Sequence, residues 1–389
     1  MTFNLFAYGF RSQFLLAGFA ALVLIPLWAL SFVWGTAIGT GWPPTLWHAH
    51  EMLFGFIASA IAGFMLTAVP SWTGQRGFAG FPLMVLAVIW VAARMLIATS
   101  SFWPPLLPAI VDLAFLPMLA LMLMIPLIRS RSRNTPLLAV LAALWFANLI
   151  FHVGLIHHDS PLAHKAIIAG IDITLLLVTV IGGRIVPAFT ASALRQQGKE
   201  ITLNSSRVLS VASIAVMLCV IVGDIVWPDS HLAGYVAAVA AVIQALKFAQ
   251  WRPLLTAHQP IVWILHLAYV WLPIGFALKA AALIGGYAFA AFWLHALTIG
   301  ALTTMITAVM TRASLGHTGR PLRAHPLITL AYLLLTVATA IRVFGLLLPG
   351  MSYPTVITLA ALFWTASFVL FVGFYGPILL GPRVDGKPG

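Results

Sequence analysis

The stretch of this chain with the most chemical potential is Trp47-His48-Ala49-His50-Glu51-Met52, at the mouth of an apolar run that continues to Pro70. It brings two imidazoles, a carboxylate and a thioether together. Neutral imidazole suits copper, iron and zinc, and thioether sulfur suits reduced copper. An ionisable group at the edge of a span-length apolar run is costly unless it is paired or ligated. On a helix His48 shares a face with Glu51 and with Met52, whereas His48 and His50 point nearly opposite ways. The two histidines then serve one ion only if the helix begins after His48. The bland alternative is an interfacial histidine pair with Trp42 and Trp47 as membrane-interface anchors.

Further histidines extend the list. His152 lies deep enough in an apolar run to need a partner, while His157 and His158 behind it read as solvated loop residues. His266 and His295 stand alone in apolar runs. A lone intramembrane histidine is either a hydrogen-bonded core residue or a relay or ligand. A heme needs one or two axial imidazoles and a wide apolar slot, and this sequence can supply both. Glu51 and Asp112 are candidate proton carriers, or acceptors that fix an imidazole tautomer. Arg94, Arg184, Lys279 and Arg342 lie within apolar runs and could pair with Asp112 and Asp172 or with heme propionates. For Arg184, Lys279 and Arg342, snorkelling to a nearby interface is the simpler reading. One cysteine, Cys219, rules out an intramolecular disulfide framework and a cysteine-based metal site. No phosphate-cradling loop, nucleophile elbow or zinc-protease motif occurs, and Gly182-Gly183 reads as a helix-packing feature.

The elements that must position these residues are membrane helices. The chain has 389 residues, 62% hydrophobic and 7% charged, against roughly 25% charged in a soluble domain. A span needs about 20 mostly apolar residues, and twelve are predicted: 14–33, 48–69, 80–99, 105–128, 136–156, 164–187, 207–226, 231–250, 259–283, 288–311, 325–348 and 353–380. The first is span-length and lacks the features of a cleavable leader. The expected fold is an all-α polytopic bundle forming a single integral membrane domain, with a polar loop over 188–206 as its longest connection.

Fifteen of the twenty Lys and Arg residues fall in the N-terminus, the even-numbered loops and the C-terminus, and one, Lys165, falls in the odd-numbered loops. The positive-inside rule then places both termini in the cytoplasm. The net charge of +12 is topological and needs no nucleic acid. In this orientation His48, His50, His152 and His295 lie toward the outer face, with Arg94, Asp112 and Asp172. His295 sits about two turns in, roughly 10 Å at 1.5 Å per residue. His266 enters from the inner side. A weak repeat of four spans is also visible. Spans two, six and ten each begin near a histidine (His50, His164, His295) with a glycine five or six residues later (Gly55, Gly170, Gly300).

Several segments carry a family resemblance. They are Phe10-Arg-Ser-Gln-Phe-Leu-Leu-Ala-Gly18, Trp47-His-Ala-His-Glu-Met-Leu-Phe-Gly-Phe56 and Ala62-Gly-Phe-Met-Leu-Thr-Ala-Val-Pro-Ser-Trp-Thr-Gly74, with Asp112-Leu-Ala-Phe-Leu-Pro117, Phe151-His-Val-Gly154 and Gly182-Gly-Arg-Ile-Val-Pro-Ala-Phe-Thr190. Leu265-His-Leu-Ala-Tyr-Val-Trp-Leu-Pro273, His295-Ala-Leu-Thr-Ile-Gly300 and Arg312-Ala-Ser-Leu-Gly-His-Thr-Gly-Arg-Pro-Leu322 complete the set. Together they resemble the NnrS family over nearly the whole chain. The resemblance implies a bacterial inner-membrane protein containing heme and copper, linked to nitric oxide metabolism and survival under nitrosative stress. It adds weight to His48, His50, His152, His266, His295 and His317.

A second likeness is to heme-copper oxidases and nitric oxide reductases, which have twelve spans in three groups of four. Span six here lacks their His-Pro-Glu-Val-Tyr type of motif, span seven has no histidine, and span ten has one rather than two. The expectation is therefore a heme- and copper-binding protein acting on nitric oxide or nitrosyl species, with His48, His50, His152 and His295 as outer ligands. His266 would be a deeper axial ligand or a second site. The alternatives are a secondary transporter of a metal or heme, with helices broken at Pro70, Pro187 and Pro273, and a nitric oxide sensor or sink without turnover. The partners expected are nitric oxide, membrane lipid and an electron donor the sequence does not identify.

Overall fold

Lipid offers no water to a backbone amide, so each apolar segment must satisfy its own N–H and C=O groups, and helix is the outcome. The computed structural model describes residues 4–36, 40–199, 201, 203 and 206–387. Among them no strand occurs, and twelve helices are long and apolar enough to cross a membrane. They are α1 (Gly9–Trp34), α2 (Pro44–Thr73), α3 (Phe81–Ala98), α4 (Leu106–Arg129), α5 (Leu137–Ile156) and α6 (Ser160–Arg195), then α7 (Arg207–Val226), α8 (His231–Ala249), α9 (Pro260–Gly285), α10 (Ala288–His317), α11 (Pro326–Leu347) and α12 (Tyr353–Leu380). The expected helical membrane fold is thus the observed one.

Two expectations about local structure need correction. Helix α6 continues through Pro187 to Arg195, so the polar loop read over 188–206 begins as helix; residues 200, 202, 204 and 205 of it lie outside the described residues. Pro70, Pro187 and Pro273 all sit inside continuous helix, so the helix breaks invoked for a transporter do not occur at these prolines.

The regular helical hydrogen-bonding pattern changes in two places. Helix α2 is α-helical over Pro44–His50, turns π-helical over Glu51–Ile57 and returns to α over Ala58–Thr73. Helix α10 is π-helical over Ala296–Thr303. Each wide stretch starts directly after a histidine, His50 or His295, and contains the glycine five residues on, Gly55 or Gly300. Such π stretches concentrate at functional sites. The third member of the expected repeat, α6, carries His164 and Gly170 on regular helix.

The chain divides into two compact units. The first comprises the chain up to Gly170, Met310–Leu322 and Phe368 onward, and so holds α1 to α5 with parts of α6, α10 and α12. The second comprises Ile171–Val309 and Arg323–Ser367.

In the first unit α1 and α2 approach closely through small residues, as membrane helices do in the absence of a hydrophobic driving force between them. A Cβ on Gly63 would lie 2.6 Å from the Phe14 ring, and Ser59 Oγ donates to Gln13 O at 2.9 Å. Arg11, fully buried, donates to the carbonyls of Leu379 (2.9 Å) and Gly381 (2.6 Å). The guanidinium thereby satisfies acceptors that the end of α12 leaves open. Exposed apolar side chains such as Val88, Met95 and Leu121 ring this unit as a lipid-facing surface needs.

In the second unit three cations contradict their sequence readings. Lys247, counted among the cytoplasmic loop charges, is buried on α8 and donates to Thr179 O (3.0 Å) and Ser213 Oγ (2.9 Å). Gly183 makes its room, since a Cβ there would lie 2.6 Å from Lys247 Nζ. Lys279 and Arg342 do not snorkel. Lys279 is buried against Asp224. Arg342 is buried over the Phe292 ring and donates to Tyr353 Oη at 3.2 Å. Arg184 is exposed.

Candidate metal centre

Within the first unit, four consecutive helices deliver one polar cluster into an apolar interior. Helix α2 supplies His50 and Glu51, α3 supplies Arg94, α4 supplies Asp112, and α5 supplies Asn148 and His152. On α5, Asn148 and His152 are four residues apart and share a face. His50 and Glu51 are essentially fully buried, and Asp112, Asn148 and His152 nearly so.

Asp112 is the hub. Its Oδ2 accepts from Asn148 Nδ2 at 2.7 Å and lies 3.0 Å from His152 Nε2 and 3.2 Å from His50 Nε2. Its Oδ1 accepts from Arg94 Nη2. Every partner can donate, so the carboxylate is satisfied as an acceptor and needs no proton of its own. Arg94 also donates through Nη1 to Glu51 Oε1 at 2.8 Å, using the fork geometry that lets one guanidinium hold two carboxylates. Glu51 Oε1 in turn lies 3.1 Å from His50 Nδ1. His50 Nε2 also lies 3.0 Å from Asn148 Oδ1.

The wide turn of α2 takes part in this arrangement. Gly55 lies within it, and a Cβ there would meet Arg94 Nη1 at 3.0 Å. Trp90 Nε1, one turn before Arg94 on α3, donates to Gly55 O at 3.0 Å. The glycine lets the arginine cross the helix to reach Glu51.

Aromatic rings close the cluster. Phe151 stacks on the His50 ring at 4.6 Å and Phe54 is tilted against it at 5.1 Å. Trp42 presents its edge to both His50 (5.2 Å) and His152 (5.8 Å). Trp42 is thus part of the site wall, and Trp47 is buried rather than spread at an interface.

The donor chemistry fits a metal ion. His50, Asp112 and His152 each offer one ligand atom, all within 4.8 Å of one another, and among the described residues they form the one such group of His, Cys, Asp and Glu side chains. Two atoms bound tetrahedrally to one metal at about 2.1 Å lie roughly 3.4 Å apart, close to the spacings of Asp112 Oδ2 from the two imidazoles. The Glu51 carboxylate on the far nitrogen of His50 is the arrangement that fixes the tautomer and orientation of a ligating histidine. Two imidazoles and a carboxylate suit copper, iron or zinc.

The remaining candidates lie elsewhere. His48 belongs to the helix, which begins at Pro44, and stacks on Trp28 of α1 at 4.2 Å. It therefore turns away from His50, as helical geometry requires. His295, half-buried, ends the short α-helical turn before the π stretch of α10 and belongs to the second unit. His266 belongs to that unit too. Its Nε2 lies 2.9 Å from Thr190 Oγ1, whose own proton goes to Val186 O at 2.8 Å. Nε2 must therefore carry the ring hydrogen, which leaves a lone pair on Nδ1. That atom is buried and has no hydrogen-bond partner. His157, His158 and His164 are exposed, and His317 packs its ring between Tyr8 and Phe10 at 5.9 and 5.7 Å.

Reading the sequence alone missed Asn148, although its spacing from His152 was the available signal. It also placed Asp112 beyond the ligand set, whereas the carboxylate sits among the donor atoms. No curated protein is found to match the chain. The family model described as NnrS protein matches residues 4–383. With nearly the whole sequence covered, the chain belongs to the NnrS family.

Proposed function

We propose that the protein binds copper at His50, Asp112 and His152 and heme through His266, and acts on nitric oxide or nitrosyl species in the bacterial inner membrane as a protection against nitrosative stress. Membership of the NnrS family fits a nitric oxide-related role. The observation that carries the metal assignment is the buried three-donor cluster with Glu51 behind His50.

Copper held by His50, Asp112 and His152 would supply redox chemistry toward a small uncharged ligand. The chain's own groups prepare it. Glu51 accepts the Nδ1 hydrogen of His50, which turns the Nε2 lone pair toward His152 and Asp112. Glu51 and Asp112 bring two negative charges and Arg94 one positive charge, so the cluster lacks one positive charge. A cuprous ion, or one proton on His50, restores neutrality, and a buried site demands that balance. Trp42, Phe54 and Phe151 keep water away. Nitric oxide is small and neutral, so it can reach the site through lipid and helix without a charged funnel. The asymmetry of Lys and Arg supports a position of this cluster toward the outer face, with both termini inside.

Metal and heme analysis of detergent-purified protein, with optical and electron-paramagnetic spectra, tests this reading. His50→Ala and His152→Ala should lose copper and keep the heme Soret band, and His266→Ala should do the reverse. A protein that retains neither cofactor, or variants that leave both signals intact, would overturn it. Copper that washes out while uptake into proteoliposomes depends on His50 would favour the transporter instead.

A further inference from the structure

The second unit holds a charged cluster that the metal and heme assignments do not use. Asp172 of α6, Asp224 of α7 and Lys279 of α9 are all buried. Lys279 Nζ pairs with Asp224 Oδ2, and the ammonium also lies 4.6 Å from the centre of the Trp293 ring. Asp172 is a direct electrostatic neighbour of Asp224 and of Lys279. Its Oδ2 is buried and has no hydrogen-bond partner.

The charges do not balance. Two carboxylates against one ammonium leave a net negative charge in an apolar interior, which neither lipid nor protein can solvate. Two ionised carboxylates also cannot be close neighbours there; such pairs share a proton. The other charged and titratable groups on the neighbouring helices do not supply compensation. His231 and Tyr235 of α8 are exposed, Arg342 of α11 is taken up by Phe292 and Tyr353, and His295 of α10 is half-buried beyond Trp293. A metal cation would find only two carboxyl groups and would lie against the Lys279 ammonium. A proton needs neither more ligands nor more room.

We propose that Asp172 and Asp224 form a proton-binding site that holds one proton between them. Lys279 fixes Asp224 as the ionised member, and Asp172 is the member that carries and exchanges the proton. Asp224 lies two residues before the end of α7 at Val226, and Lys279 six before the end of α9 at Gly285. At 1.5 Å per residue the pair is within roughly 10 Å of those helix ends, near enough to exchange with one side of the membrane. The site stands independently of any cofactor.

Infrared spectroscopy of the full-length protein, labelled with ¹³C-aspartate and reconstituted in lipid, tests the proposal. At neutral pH the wild type should show one aspartic acid C=O stretch that shifts in deuterated water. Asp112, surrounded by donors, should contribute none. Asp172→Asn and Asp224→Asn should each abolish the band, because the remaining carboxylate is neutralised by Lys279. Lys279→Met should roughly double it, because two protons are then needed. The wild-type band is the primary readout, so a variant that does not fold leaves the others and the wild type to decide. Absence of the band in the wild type, its persistence in both asparagine variants, or its removal by sodium at constant pH would each overturn the proposal.

Discussion

His50 and Glu51 are neighbours in sequence, yet the imidazole Nδ1 and the carboxylate Oε1 lie 3.1 Å apart. On a regular helix adjacent side chains diverge and do not face one another. The helix widens to a π turn at Glu51, and Arg94 Nη1 draws the same Oε1 in at 2.8 Å. The carboxylate thus orients the histidine while the arginine orients the carboxylate. One local change in helical pitch couples two helices at a single atom.

That coupling makes Glu51→Gln informative. The amide oxygen can still accept from His50, but the ion pair with Arg94 is lost. Loss of such an outer partner costs about 10–100-fold in metal affinity. Copper titration of the variant should show a fall of that size, with the helical content by circular dichroism unchanged.

Arg94 holds two buried carboxylates, so its replacements should rank by geometry. Arg94→Lys keeps a charge but reaches one carboxylate, losing a charge-assisted hydrogen bond of roughly 1.5–3 kcal/mol. Arg94→Met leaves both carboxylates uncompensated and should cost roughly 3–5 kcal/mol. Thermal unfolding in detergent should give the order wild type, Lys, Met. Equal melting temperatures for the two variants would contradict the fork.

How much of this was visible in the sequence differs by residue. His50, His152 and Asp112 were visible because an ionisable side chain in an apolar run demands a partner, and the divergence of His48 from His50 follows from helical spacing alone. The partner of Arg94 was not fixed, because helix-to-helix register is not written in composition. Lys247 was misread because a lysine near a helix end usually reaches water, and here Gly183 opens a buried berth beside Thr179 and Ser213. Asp224 escaped notice at the end of its span, and with it the partner of Lys279. The π stretches after His50 and His295 left no compositional trace; only the glycine five residues on hinted at them.

Thr190 should control His266. Thr190→Val removes the acceptor of the Nε2 hydrogen while nearly preserving shape, and an unpaired buried donor costs roughly 1–3 kcal/mol. Heme should still bind, with a reduction potential displaced from wild type. Thr190→Ser should restore it. A potential unchanged in the valine variant would separate His266 from the heme.

At the C-terminal tail, Arg383 bonds Asp385 through Nε (2.8 Å) and Nη2 (2.6 Å) and donates to His317 O at 2.8 Å. Hydrogen bonds from Arg383, helped by the Lys387 amide, hold the Asp385 carboxyl well below the usual carboxylate range. A carboxyl whose pKa folding lowers contributes fully above its unfolded value, about 3.9, and loses that contribution as pH falls toward the lowered one. Exchange of the Val384 amide, which donates to Thr318 O at 3.1 Å, should therefore speed up relative to a tail-free reference amide only below that range. Asp385→Asn should show the faster exchange at neutral pH, without loss of the fold.

The central claim is that His50 and His152 ligate one ion with Asp112. Electron–nuclear double resonance of the copper-loaded, oxidised protein, with ¹⁵N-histidine labelling, reads the ligands directly. Two coupled imidazole nitrogens are expected in the wild type, and no bound copper in His152→Ala or in the double variant His50→Ala/His152→Ala. Copper retained in the double variant with its two nitrogen couplings intact would place the metal elsewhere and contradict the account.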